Sequence, residues 1–409
     1  MAVAQGISLA RLNTLLDELR ARVPFYAQRI PDRPIRSMHD FTELPFTTKE
    51  DFGANYPFGL FAVDLDQVVR LHLASGSGGK PVVVGHTARD IETWAESMAG
   101  IMSACGLASH DVLLNAFPYG LLSAGMAYQI GAERLGVTVV PTGAGVVQRQ
   151  VMLIEDLGVT AIACAPSFAM VLAEAIAREK VRTKLKLRVG FFGAEPWGDV
   201  LRGQIEYGLG LEPFDVYGLT ELGGPGVAAE CHEHNGLHVL EDHFYAEVID
   251  PATGELLDEG MEGELVITSL TREATPVLRY RTRDRSVLLS EACPCGNPAR
   301  RIQKVSGRTD DLLLIHGENV FPSQIGAILL QVEELSGNYQ LVVDRQARHM
   351  DSLEVLVEAK GGDHDLLKKM AEERIRETIG LVCTVTVLAA GVLPPLQDGA
   401  GRVIDRRQP

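Results

Sequence analysis

Aromatic residues make up only 6% of this 409-residue chain, and its six cysteines are too few for a disulfide scaffold. Positive charge is also scarce. Lys and Arg number 38 against 54 Asp and Glu, and the net charge of −16 is the wrong sign for affinity built on neutralising a phosphate backbone. Nucleic acid is therefore not an expected partner, which leaves room only for a local basic pocket around a nucleotide. Long hydrophobic runs are missing too: the most apolar window, residues 159–177, is interrupted by Pro166 and Glu174 and is too short and mixed to span a bilayer. Met1 to Ala10 lacks the basic and apolar regions of a secretion signal, and Leu9 to Val23 reads as an amphipathic helix. A cytoplasmic chain without a membrane span is expected.

What is present is the balance of a soluble α/β protein: 46% apolar residues, 22% charged, 41 Gly and 20 Pro, in a length suited to two or three domains. Short aliphatic runs at Val112–Phe117, Val137–Pro141, Thr160–Ala165, Leu187–Phe192 and Phe214–Tyr217 alternate with helical stretches, predicting a largely parallel sheet covered on both faces. After Glu221 the pattern changes to hairpins, with Phe244–Ile249 and Gly263–Leu270 joined through a turn of Pro251 and Gly254. From about Ser306 a small α+β module follows. Its helix, Asp363–Ile379, places Leu366, Leu367, Met370, Ile375 and Ile379 at core spacing.

Two segments carry chemistry on residue types alone. Ser75-Gly76-Ser77-Gly78-Gly79-Lys80 combines glycines that free the backbone, two hydroxyls and one ammonium, the ingredients of a phosphate cradle. It is not a Walker A loop, because the spacing is short and Pro81 follows the lysine. As a bare Gly/Ser turn it would do nothing, so other motifs must decide. Cys293-Pro294-Cys295 has CxC rather than redox CxxC spacing, and Cys231 and three histidines lie upstream across the predicted hairpin. Structural zinc takes four N or S ligands, which selects Cys231, His238, Cys293 and Cys295, with His234 as the competing fourth ligand. The loop Gly193-Ala194-Glu195-Pro196 follows an apolar strand, where open α/β sheets bind ligands.

Three further motifs occur in a telling order: Asp215-Val216-Tyr217-Gly218-Leu219-Thr220-Glu221, Tyr280-Arg281-Thr282-Arg283-Asp284, and Gly307-Arg308-Thr309-Asp310-Asp311 followed by Gly317-Glu318-Asn319-Val320-Phe321-Pro322. With Leu44-Pro45-Phe46-Thr47-Thr48-Lys49 and Glu241-Asp242-His243-Phe244, they make the chain resemble the adenylate-forming acyl-CoA synthetases, and more narrowly the phenylacetate-CoA ligases, over nearly its whole length. The resemblance implies an α/β fold: a large N-terminal body of parallel and mixed sheets with antiparallel hairpins (1–307), and a mobile α+β domain (308–409) joined by a hinge at Asp310. It implies that an aromatic carboxylic acid reacts with ATP to give aryl-AMP, and that the acyl group then passes to CoA. Ser75 to Lys80 would hold pyrophosphate, with Lys80 and Thr220 acting on the phosphates and Glu221 binding magnesium. Gly193 to Pro196, Asp215, Tyr217 and Gly218 would surround the nucleotide, Asp284 and Arg308 its ribose. Phe117, Tyr119 and Tyr217 would wall the acyl pocket, with Trp197 nearby.

The match departs from the family at two places. Gly399 stands where the family has a lysine that bridges carboxylate and phosphate during adenylation, and Ser77-Gly78 stands where Thr-Thr is usual. Three readings follow: a working aryl-CoA ligase, an enzyme that transfers a preformed aryl-AMP to CoA, a carrier-protein thiol or an amine, and an AMP-binding pseudoenzyme. A homodimer stays open.

Overall fold

The computed structural model describes residues 7–76, 80–195, 197–309, 313–315, 318–320, 322–345, 351–393 and 403–407. Ser77, Gly78, Gly79, Pro196, Asp310, Gly399 and Arg402 lie outside them. A two-stranded hairpin, β1 (Arg70–Ala74) and β2 (Val82–His86), flanks one large sheet. The parallel half of that sheet is β3 (Val112–Asn115), β4 (Thr138–Val140), β5 (Ala161–Cys164), β6 (Val189–Phe192) and β7 (Glu212–Leu219), in the spatial order β4-β3-β5-β6-β7. β5 and β6 are buried along their full length, which is why they read as continuous apolar runs.

At β7 the direction of pairing changes. β8 (Gly224–Glu230), β9 (Leu237–Val239), β10 (Phe244–Ile249), β11 (Glu262–Ser269), β12 (Tyr280–Leu289) and β13 (Arg301–Ile302) continue the same sheet in antiparallel pairs, and β14 (Gly307–Arg308) pairs with β12. The turn between β10 and β11 is tied by the Asp250 carboxylate, which accepts from the amides of Ala252 and Thr253. The first helix, Leu9–Arg22, is capped by Ser8 and buries Leu12, Leu15, Leu16 and Leu19 in the core shared with this antiparallel half.

A separate apolar core belongs to the C-terminal residues. β15 (Leu313–Ile315) pairs with β16 (Glu318–Val320), while β17 (Leu335–Arg345), β18 (Asp351–Ala359), β19 (Thr384–Ala389) and β20 (Val403–Asp405) form a four-stranded sheet in the order β19-β18-β17-β20. The helix His364–Ile379, capped by Asp363, contributes Leu367, Ala371 and Ile375 to that core, with Met370 and Ile379 packed at its margin. Leu366 departs from its expected core role and is 57% exposed, because adjacent positions on a helix point about 100° apart and Leu367 takes the inward direction. No helix among the described residues is long and apolar enough to cross a membrane.

Arg279 anchors the antiparallel half to the N-terminal segment. Its guanidinium is 1% exposed, forms two 3.1 Å hydrogen bonds to Glu247, and also donates to the carbonyls of Thr42 and Leu44. Removing one partner of a buried ion pair strands the other charge and costs about 3–5 kcal/mol. Arg279→Met is therefore expected to lower the urea midpoint sharply, and Arg279→Met with Glu247→Leu to recover part of the loss. Equal midpoints for the single and double variants would show that the stranded charge is not the cause.

Candidate active site

A cavity of about 320 Å³ opens at the C-terminal ends of β5, β6 and β7, and Ala165, Gly193 to Glu195 and Asp215 to Glu221 form its floor and sides. Ser75, Phe117, Asp284 and Arg308 complete it, with Leu314 reaching in from the C-terminal core. Parallel strands end here because their crossover helices return behind the sheet, leaving loops free to converge on a ligand.

Asp284 is the fixed point of the wall. The Tyr217 hydroxyl donates to one carboxylate oxygen at 2.7 Å, and Arg308, directly across the β12–β14 ladder, donates to the other. Burial and the neighbouring Asp284 charge push the Tyr217 phenol well above its ordinary value, so it remains a donor. Glu221 is buried, with the Lys49 ammonium 3.4 Å away and Tyr280 hydrogen-bonded to it. Thr220 shares a 3.2 Å hydroxyl contact with Ser123.

The phosphate-cradle segment closes tightly at Gly76. A Cβ there would lie 1.7 Å from the Lys80 carbonyl oxygen, and the Gly76 carbonyl accepts from Gln324 of the C-terminal part at 3.2 Å. Lys80 itself is exposed, with its ammonium 5.6 Å from the centre of the Tyr56 ring, and it does not line the cavity. In the next loop, Gly193 passes so close to Val216 that a Cβ would sit 2.4 Å from its carbonyl, and Ala194 adopts a left-handed φ of 66°. Glu195 turns back to accept from the amide and hydroxyl of Ser167 at 3.1 and 2.8 Å, fixing the start of the helix Pro166–Glu179. Phe117 stacks on Tyr128 at 4.9 Å. Tyr119 does not join the lining: its hydroxyl accepts from Asn115 at 2.8 Å.

The residues that sequence reasoning left without a role are Lys49, Ser123, Tyr128 and Tyr280. Lys49 and Tyr280 stand inside quoted motifs, but nothing in the linear order brings them to Glu221. Tyr128 carries a helical core pattern with no signal that its edge meets a cavity.

The cysteine segments do converge. One ligand atom from each of Cys231, His238, Cys293 and Cys295 lies within 4.8 Å of every other. The Cys231 and Cys293 sulfurs are 3.7 Å apart, and the Cys295 sulfur is 3.4 Å from His238 Nε2. Zinc bonds of about 2.3 Å to sulfur and about 2.0 Å to nitrogen at tetrahedral angles demand separations of roughly 3.5–3.8 Å. His238 Nδ1 faces the Ala299 carbonyl at 3.3 Å, which holds the ring with Nε2 toward the sulfurs. His234 lies apart, its two nitrogens facing Arg202 and Glu212.

The AMP-binding enzyme family model matches residues 10–271, and the model for the AMP-binding enzyme C-terminal domain matches 317–407. The phenylacetate-coenzyme A ligase of Pseudomonas putida is 43% identical over 414 residues, covering 98% of this chain and 93% of the relative. That of Thermus thermophilus is 41% identical over 425 residues, covering 97% and 95%. Among solved structures, 2-hydroxyisobutyryl-CoA ligase with 2-HIB-AMP and CoA in the thioesterification state gives a TM-score of 0.90 at 28% identity, covering 97% of this chain and 88% of that one. The same ligase with 2-HIB-AMP in the postadenylation state gives 0.71, again at 28% identity, covering 98% and 89%.

Asp215 supplies a pH test of the cavity. Burial, then the charge of Glu230, pushes its carboxyl up to about 7, against the charges of Lys304 and Arg202. A carboxyl whose folded value is raised opposes folding once ionised, so its contribution falls as pH rises from about 4 to about 7 and is level above that. Asp215→Asn is expected to be more stable than the parent at pH 8 by a few kcal/mol at most, and equal to it near pH 4. Melting temperatures across pH check this; parallel curves for the two proteins would contradict it.

Proposed function

The chain belongs to the AMP-binding enzymes, among the phenylacetate-coenzyme A ligases, and on that premise we propose that its cavity activates an aromatic carboxylic acid with ATP and passes the acyl group to CoA. The observation that carries this reading is the convergence of Tyr217, Glu221, Asp284 and Arg308 on one cavity at the strand ends.

In the first half-reaction a carboxylate oxygen bonds to the α-phosphorus of ATP while the bond to the bridging oxygen breaks, releasing pyrophosphate. In the second, the CoA sulfur bonds to the acyl carbon, the bond to AMP breaks, and the thiol proton goes to solvent. Asp284 accepts the ribose hydroxyls, a task suited to two carboxylate oxygens whose positions Tyr217 and Arg308 already fix. Asp215 and the Gly193–Glu195 loop face the base, the latter chiefly through its backbone. Thr220 and Ser75, which line the cavity, meet the phosphates. Glu221, a buried hard-oxygen donor at the cavity edge, is the residue that would hold magnesium, whose habit is one or two carboxylates plus substrate phosphates. Bound there, magnesium would neutralise charge on the phosphates. Phe117, Leu122 and Tyr128 supply the apolar wall against which an aromatic acid would rest.

The small domain, from about Arg308 onward, turns on Asp310 between the half-reactions. The higher likeness to the thioesterification state, 0.90 against 0.71 for the same relative after adenylation, supports a transfer-competent arrangement. The contact of Gln324 with Gly76 belongs to that arrangement. Gly399 in place of the adenylation lysine favours a second reading, in which transfer to CoA or a carrier-protein thiol outpaces adenylation. In the same proposal Cys231, His238, Cys293 and Cys295 hold a structural zinc ion, because three thiolates and one imidazole close a tetrahedral shell and leave no open position for chemistry.

Pyrophosphate exchange with aryl acids reports the first step, and thioester formation from synthetic aryl-AMP plus CoA reports the second. Both are expected. Exchange is expected to be the weaker, and Gly399→Lys to raise it about tenfold or more while leaving transfer nearly unchanged. AMP binding without either activity would overturn the ligase reading.

A further inference from the structure

The cysteine–histidine cluster lies behind the nucleotide-facing wall, joined to it by two short strands of the sheet. β9 has three residues and β13 two, and their pairing consists of His238 with Arg301 and Leu237 with Ile302. Yet Leu237, Ile302, Gln303 and Val305 all line the cavity. Strands this short have little stability of their own. The four ligands sit where they can supply it: Cys231 immediately follows β8, His238 is the middle residue of β9, and Cys293 and Cys295 lie in the connection from β12 to β13. At its far end the same connection is held by Arg300, which donates to Glu241 and whose carbonyl accepts from the Val239 amide. Arg301, 2% exposed, donates to the carbonyls of Asn235 and Glu291 across the two loops that the ligands also span. On the other side, Glu230, one residue before Cys231, accepts from the Asp215 amide at 2.8 Å and from Arg202 through both oxygens, linking the cluster to the opposite wall.

We infer that metal at Cys231, His238, Cys293 and Cys295 is a clamp on the nucleotide-facing wall, so that metal binding and nucleotide binding are thermodynamically coupled. The inference rests on the zinc reading above and adds a function to it. Without the ion, β9 and β13 keep only their short ladders, three residue pairs to β8 and two to β12, with no side-chain link from β9 to the β12–β13 connection through the cluster, and the edge formed by Leu237, Ile302 and Gln303 loosens. With the ion in place, that edge is set before a nucleotide arrives. Coupling of this kind is reciprocal: whatever factor the metal adds to nucleotide affinity, the nucleotide adds to metal affinity, commonly about 5–150-fold.

The test uses the full chain and AMP. Zinc content after chromatography is expected at one ion per chain. The visible ligand-field bands of the cobalt-loaded protein are expected to shift when AMP is added, a readout taken on folded, metal-loaded protein only. Cys295→His, which keeps four ligands but displaces one, is expected to weaken AMP binding about tenfold. Cys383→Ser, in the C-terminal core, is expected to leave AMP affinity unchanged and serves as the control for a general loss of stability. Stoichiometric metal with cobalt bands indifferent to AMP would overturn the clamp and leave the zinc site standing. Absence of metal, together with failure of cobalt to bind, would overturn both.

Discussion

Asp284 is the residue on which three parts of the molecule meet. Tyr217 reaches it from the last parallel strand, its own backbone belongs to the antiparallel half, and Arg308 reaches it from the two-residue strand that ends the body. A buried carboxylate is tolerable only when its oxygens are satisfied, and here a phenol and a guanidinium do so from opposite sides. That requirement fixes the sheet's change of direction beside the cavity. It also sets Arg308, where the chain leaves the large sheet, on the wall of the cavity.

The electrostatics follow from scarcity. A chain with net charge −16 must assemble cations locally to receive a polyphosphate. The structure spends many of its arginines internally: Arg279 on Glu247, Arg202 on Glu230, Arg281 on Glu264. Lys49 stands within 3.4 Å of Glu221 at the cavity, whereas Lys80 is exposed beside Tyr56. Among the described residues, Arg308 lines the cavity and Lys49 pairs with Glu221 at its edge, while Lys80 lies outside it.

The strands were legible in the sequence wherever burial on both faces produced an unbroken apolar run, as in β5 and β6, and the hairpin of β10 and β11 was legible from its Asp-Pro and Gly turn. The short strands β9 and β13 were not, because two or three residues carry no period. Tyr217, Glu221, Asp284 and Arg308, which line the cavity, were legible as a group through motif order. Tyr119 and Phe117 were indistinguishable as aromatics two residues apart, and only the path of the chain after β3 sends one to the cavity and the other to Asn115.

By itself the sequence determined the α/β class and the family, and it singled out the four cysteine and histidine residues that converge, because each is written in residue type and local spacing. Tertiary structure alone decided that His234 turns to Glu212, that Lys49 and Tyr280 flank Glu221, and that the cysteine–histidine cluster sits next to strands whose Leu237 and Ile302 line the cavity. Those relations join residues 22 positions apart in the case of His234 and Glu212, and 172 apart in the case of Lys49 and Glu221. Their distances are set by how sheet and loops close on one another, a property of the whole packing that no local pattern records.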